Sequence, residues 1–244
     1  MNYKKIIITS ISLSLFFLFY WFLSNSQYYS MPDNLFSSDE ILYNMNNSAY
    51  GYVSLLAYTT IYLLPFLFFL KKSFVNDSLL FLIRHSNRNR LFIKRFYNLF
   101  SISIIFCILH IIINILFSFT FFNINFLIEK NYFISSLFHL LIIISFYIQV
   151  GFSFYIIYDL INNLTLSLFI TLLIYSGVYF FHKLTNIVIW PPITDLIVLG
   201  NLIDGSLSIV NLLIILLRQS MFVFIFYNLS CTLFNRKDFL CHEI

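Results

Sequence analysis

The sequence predicts an all-α integral membrane protein with about six transmembrane helices. Three observations predict it. The chain is 60% hydrophobic and only 10% charged over 244 residues. Its apolar residues gather in several runs of about 18 or more, the length at which a helix crosses a bilayer core of about 30 Å. Its cations are distributed unevenly, with seven of the 14 Lys and Arg residues between Lys71 and Arg95. Lipid offers no partner to exposed backbone groups, so each run is read as a helix. Barrel strands alternate over about 10 residues and do not fit runs this long and unbroken.

The spans fall at about 6–23, 52–70, 99–122, 132–158, 165–181 and 206–229. They use most of the chain, so 1–244 reads as a single transmembrane domain with no room for a soluble domain of ordinary size. The first span follows Lys4 and Lys5 and precedes Ser24-Asn25-Ser26, a layout that loosely suits a cleaved secretory leader. Its apolar region is longer than a leader needs, and bulky Phe, Tyr and Trp reach almost to that site, so it is read as a retained span. The connection from Ser24 to Gly51 carries Asp33, Asp39 and Glu40 and no Lys or Arg. With the N-terminus inside, Lys4, Lys5, the cluster from Lys71 to Arg95, Arg236 and Lys237 all lie on one side, and only Lys130 and Lys183 on the other. The excess of cations marks the cytoplasmic side, which places both termini in the cytoplasm of a multi-pass protein.

Two segments are not simple connections. The basic segment 71–98 holds the apolar run Leu79 to Ile83, too short to span, followed by Arg84, His85, Arg88, Arg90, Lys94 and Arg95. Such a stretch is expected to lie along the membrane surface with its apolar side in lipid or against the bundle. The alternative is a plain electrostatic anchor. On the outer side, 182–205 holds two apolar arms, Leu184 to Trp190 and Ile193 to Ile203, broken by Pro191-Pro192. Neither arm is long enough to cross, and proline cannot continue the helix before it. A re-entrant hairpin and an interfacial loop with Trp190 in the aromatic belt both fit.

Polar residues within the spans form stripes. Ser103, Cys107, His110, Asn114 and Ser118 share one face of the third span; Ser135, His139, Gln149 and Ser153 share a looser one on the fourth. Ser208, Asn211, Arg218 and Gln219 do the same on the sixth. Small polar groups in these positions mostly hold helices together, each for under about 1 kcal/mol. Arg218 is costlier, because a cation near mid-span needs water, a partner or carbonyls, and the sequence puts no carboxylate at its expected depth. It either lines a polar cavity or snorkels toward the cytosol. His110 reads as a packing residue, with a proton relay as the alternative.

Catalytic groups are missing from the pattern. There are no paired carboxylates within spans, no Cys/His metal spacing, no CxxC and no GxxxxGK[ST] loop, and Gly occurs only 5 times. The three cysteines, Cys107, Cys231 and Cys241, imply no outer disulfide framework. Neither ion-coupled carriage nor inverted repeats is evident. If ATP powers this protein, another chain must bind it with its Mg²⁺.

Six spans with cytoplasmic termini, a basic amphipathic segment after span two and a broken outer hairpin between spans five and six resemble the membrane subunit of an ABC-2-type transporter. Phe81-Leu82-Ile83-Arg84-His85-Ser86-Asn87-Arg88, followed by Leu91 to Arg95, is similar to a pattern of permeases for bacterial antimicrobial-peptide export or self-immunity. The resemblance implies a cytosolic ATPase docked on a coupling helix, here involving Arg84, His85, Arg88, Arg90, Lys94 and Arg95. It implies a second permease subunit, identical or related, in a bacterial cell membrane, and no nucleic acid. His110, Asn114, Asn211, Arg218 and Gln219 would line the substrate pathway, and Trp190, Pro191 and Pro192 the outer gate. This chain would not itself be an enzyme and would hold no cofactor or metal. The small loop from Ser24 to Gly51 departs from a large peptide-binding domain and favours lateral entry of an amphipathic or hydrophobic substrate. Three other readings stand beside it: a non-transporting immunity or lipid-interacting protein, the substrate-binding component of an energy-coupling vitamin transporter, and a membrane peptidase or transferase.

Overall fold

A computed structural model describes residues 3–29, 37–73 and 88–236. All regular elements among the described residues are helical. The helices are α1 (Tyr3–Tyr29), α2 (Ser38–Asn47), a π turn (Ala57–Ile61), α3 (Leu63–Ser73), α4 (Arg88–Phe121) and α5 (Ile124–Glu129). They continue with α6 (Tyr132–Ile161), α7 (Leu164–Thr185), α8 (Pro191–Thr194), a 3₁₀ turn (Asp195–Ile197), α9 (Val198–Ile203) and α10 (Ile209–Arg236). Five of these are long and apolar enough to cross a membrane: α1, α4, α6, α7 and α10.

The central helix is α6, which packs against α4, α5, α7, α9 and α10. It is also the most enclosed of the five, so it carries few of the exposed apolar side chains that mark the flanks of α1 and α10. Gly151 explains how closely α6 and α4 approach, since a Cβ there would run into Leu99. Helix ends follow local chemistry. Ser37 and Glu40 form a capping box on α2, and Asn163 Oδ1 accepts from the backbone N of Thr165 and Leu166 at 3.1 Å each to start α7. Asn131, Asn162 and Asn186 take left-handed φ of 52°, 58° and 55° at helix boundaries, a conformation that asparagine tolerates well.

Two expectations change here. The second span is not a regular helix over 52–70: Tyr52, Val53 and Ser54 are buried but non-helical, and the helix opens through the π turn. Pro65 supplies the reason. It has no N–H for the carbonyl of Ile61, and its ring crowds that carbonyl, so the α ladder gives way one turn earlier. Tyr62 N then donates to Ala57 O at 2.7 Å, the wider π register. The described part of the basic segment also differs, because Arg88 to Asn98 is continuous with the third span rather than a separate surface element. With 34 residues α4 extends about 51 Å, well beyond a bilayer core of about 30 Å, so its cationic first turns can stand outside lipid.

Candidate functional site

Residues from α6, α10 and the segment Pro191–Ile203 meet at mid-helix in a polar cluster. The local sequence sets it up. Asn186 ends α7, residues 187–190 run without regular structure, and Pro191 starts a helix at the position where its missing N–H costs nothing. That brings Asp195 opposite Arg218. Arg218 Nε donates to Asp195 Oδ2 at 3.2 Å, and Nη2 forms a second, close contact with Oδ1. Gln219 Nε2 donates to Asp195 Oδ2 at 3.1 Å and to the carbonyl of Pro192 at 3.0 Å, and Gln149 Nε2 donates to Gln219 Oε1 at 2.7 Å. The Asp195 side chain is 3% exposed and that of Arg218 36%. One face of the guanidinium is therefore neutralised, and the other remains open.

Beside this cluster lies an apolar crevice of about 220 Å³ between α6, α7, Trp190 and α10. Its walls include Ile157, Ile174, Val178, Ile193 and Phe226. Ser153 and Tyr175 share a hydrogen bond of 2.9 Å at its edge. Trp190 packs on Phe222 and Phe226 with ring centroids 5.0 and 5.4 Å away. Its buried Nε1 has no hydrogen-bond partner among the described residues.

The polar stripe of the third span is buried as expected, but its members join a packed network. Asn114 accepts from Trp21 Nε1 at 3.2 Å and donates to Asn46 Oδ1 at 2.9 Å and Tyr132 Oη at 3.1 Å. His110 is stacked on Tyr52, centroids 4.4 Å apart and planes 3° apart, with Phe17, Tyr58 and Tyr62 around it. Tyr58 Oη and His139 Nε2 lie 2.8 Å apart. His110 and Asn114 thus sit in one aromatic core, while Arg218 and Gln219 belong to the separate cluster on α10. Asn211 belongs to neither: it is exposed, because the packed stripe of α10 runs through Leu212, Ile215 and Gln219.

The expected coupling residues separate as well. Arg84 and His85 lie outside the described residues. Arg88, Arg90 and Lys94 are exposed on the first turns of α4, and Arg88 Nη1 donates to the carbonyl of Asn235 at 2.7 Å. Arg95 does not join them. Its side chain is 4% exposed and meets Asp159, 1% exposed, at 3.1 and 3.2 Å, with the Phe234 ring 4.4 Å from the guanidinium carbon. An arginine enclosed in this way holds α4, α6 and α10 together.

Sequence reading missed Asp195, Asp159 as a partner, and the tyrosines around His110. A signal for Asp195 was present: it is the acidic residue inside an apolar arm too short to span, and a buried carboxylate needs a cation. No family model matches the chain, and no characterised protein or solved structure matches it.

Proposed function

We propose that this chain is the membrane-spanning permease subunit of an ATP-driven transporter that moves an amphipathic or hydrophobic substrate, such as an antimicrobial peptide, out of the cell or the membrane. The observation that carries the reading is the seating of Trp190 to Asp195 against the middle of α10, with an apolar crevice beside it. In the proposed topology residues 187–190 descend from the outer end of α7 and Pro191–Ile203 returns to the same side, forming a re-entrant hairpin. Non-regular backbone at membrane depth is tolerated only against protein or a wet cavity, and here it lies against α10 and the polar cluster. The π turn Ala57–Ile61 together with α3 serves as the sixth crossing.

In this reading the crevice admits an apolar group from the side, and the hairpin, latched by Arg218 and Asp195, closes the outer end. The cationic first turns of α4 face the cytoplasm, where Arg88, Arg90 and Lys94 are available to an ATPase. The exposed apolar face of α10 contacts lipid or a second subunit.

The test is purification of the full chain in mild detergent with its associated proteins, followed by an ATP hydrolysis assay. An ATP-hydrolysing chain should co-purify and be lost on Arg90→Gln. An amphipathic peptide should stimulate its turnover after reconstitution. Absence of any such chain, with no peptide moved, sinks the proposal.

A further inference from the structure

A second groove lies between α3 and α7, away from the polar cluster. It encloses about 180 Å³, and Leu67, Phe68, Leu168 and Leu172 are among its walls. Its polar lining comes from Lys71, in the last turn of α3, and Thr165, in the first turn of α7. Asn98 Nδ2 donates to the carbonyl of Ser73 at 2.8 Å, which anchors the end of α3 that carries Lys71. Among the described residues no carboxylate pairs with Lys71. The N-terminus of the 22-residue α7, where Thr165 lies, adds positive potential, and the Thr165 hydroxyl adds a donor.

We propose that this groove is a binding site for one anionic phospholipid. The phosphate sits between the Lys71 ammonium and Thr165, and an acyl chain lies along the leucines toward Leu64. Charge complementarity selects the occupant. A purely apolar ligand would leave the ammonium unmatched, and a soluble anion would leave the groove uncovered. The leaflet concerned is the one shared by the end of α3 and the start of α7, on the side of the basic cluster. The site needs only a bilayer, and so stands apart from the transporter reading.

Native mass spectrometry of the full chain released from nanodiscs of equal phosphatidylglycerol and phosphatidylcholine tests it. Phosphatidylglycerol should be retained in preference. Lys71→Gln should lower that preference about fivefold, the equivalent of the roughly 1 kcal/mol that a basic residue gains at an anionic surface. Leu64→Trp, which narrows the groove from its open side, should reduce retention of the lipid while Lys71 remains. Lys72→Gln, next in the chain but not in the groove, should change little. Three results overturn the proposal: equal retention of both lipids, a loss on Lys72→Gln as large as on Lys71→Gln, or displacement by glycerol phosphate alone.

Discussion

Arg218 in the last long helix grips Asp195 through two guanidinium contacts, although the sequence puts Asp195 in the outer connection 182–205 and Arg218 within the sixth span. Asp195 is nearly enclosed and Arg218 is about one-third exposed. Removing the cation therefore harms more than removing the pair. Arg218→Leu should cost about 2 kcal/mol, less than the 3–5 typical of a fully buried pair because solvent or headgroups reach the guanidinium. Arg218→Leu with Asp195→Leu should recover most of that loss. Thermal unfolding in mild detergent measures both, and an equal loss in the single and double variants would refute the pairing argument.

Arg95 and Asp159 form the more enclosed pair, at 4% and 1% side-chain exposure. Asp159→Ala strands a buried guanidinium among Tyr155, Tyr158 and Phe234 and should cost about 3–5 kcal/mol. Replacing both by Met and Leu should restore a melting temperature close to that of the parent. A large loss of ATPase binding in that stable double variant would return Arg95 to the docking surface.

Gly151 permits the close crossing of α4 and α6. A Cβ at that position collides with the side chain of Leu99, so Gly151→Ala should destabilise by about 1–3 kcal/mol. Leu99→Ala alone opens a cavity and should cost about 2–5 kcal/mol. The double variant should cost clearly less than the sum, because the added methyl occupies part of the space that the leucine leaves. Additive losses in unfolding would remove the proposed contact.

Long apolar runs made α1, α4, α6, α7 and α10 legible, because hydrocarbon thickness sets a length that the sequence must match. The buried face of α4 was legible too, since Ser103 to Ser118 recur at helical spacing. The break at Pro65 could have been read from the missing N–H, but an unbroken run of apolar residues concealed it. The pairing of Arg95 with Asp159 and of Arg218 with Asp195 could not be read from any periodicity. It depends on which helices become neighbours, and partners 64 and 23 positions apart share no helical face.

Lys130 Nζ donates to Asp39 Oδ2 at 2.8 Å, tying α2 to the turn between α5 and α6. Both groups are solvent-accessible. The hydrogen bond from Lys130 to Asp39, followed by the attraction of that carboxylate, raises the ammonium pKa above its ordinary 10.5. A raised folded pKa means that the stabilisation is fully present below the unfolded value and disappears as pH rises through the folded one. The melting difference between the parent and Lys130→Gln should therefore be constant from neutral pH to about 9.5 and vanish above the lysine range. It should also shrink in high salt, which screens an exposed pair. A difference that varied between pH 6 and 9 would assign the effect to another group.

His110 tests whether the aromatic core conducts protons or only packs. The ring is stacked on Tyr52 and edged by Phe17 and Tyr62, and among the described residues neither nitrogen has a partner in hydrogen-bond geometry. A buried polar atom without a partner costs about 1–3 kcal/mol. Phenylalanine keeps the flat ring and removes that cost, so His110→Phe should melt at or above the temperature of the parent. His110→Ala should melt well below it, since it removes a ring that several aromatics enclose. In the reconstituted assembly, His110→Phe should also leave peptide-stimulated ATP hydrolysis and its pH profile unchanged. A stable His110→Phe protein whose turnover fell, or whose pH profile shifted, would show that the imidazole carries a proton, and the core around Tyr58 and His139 would become the path to follow.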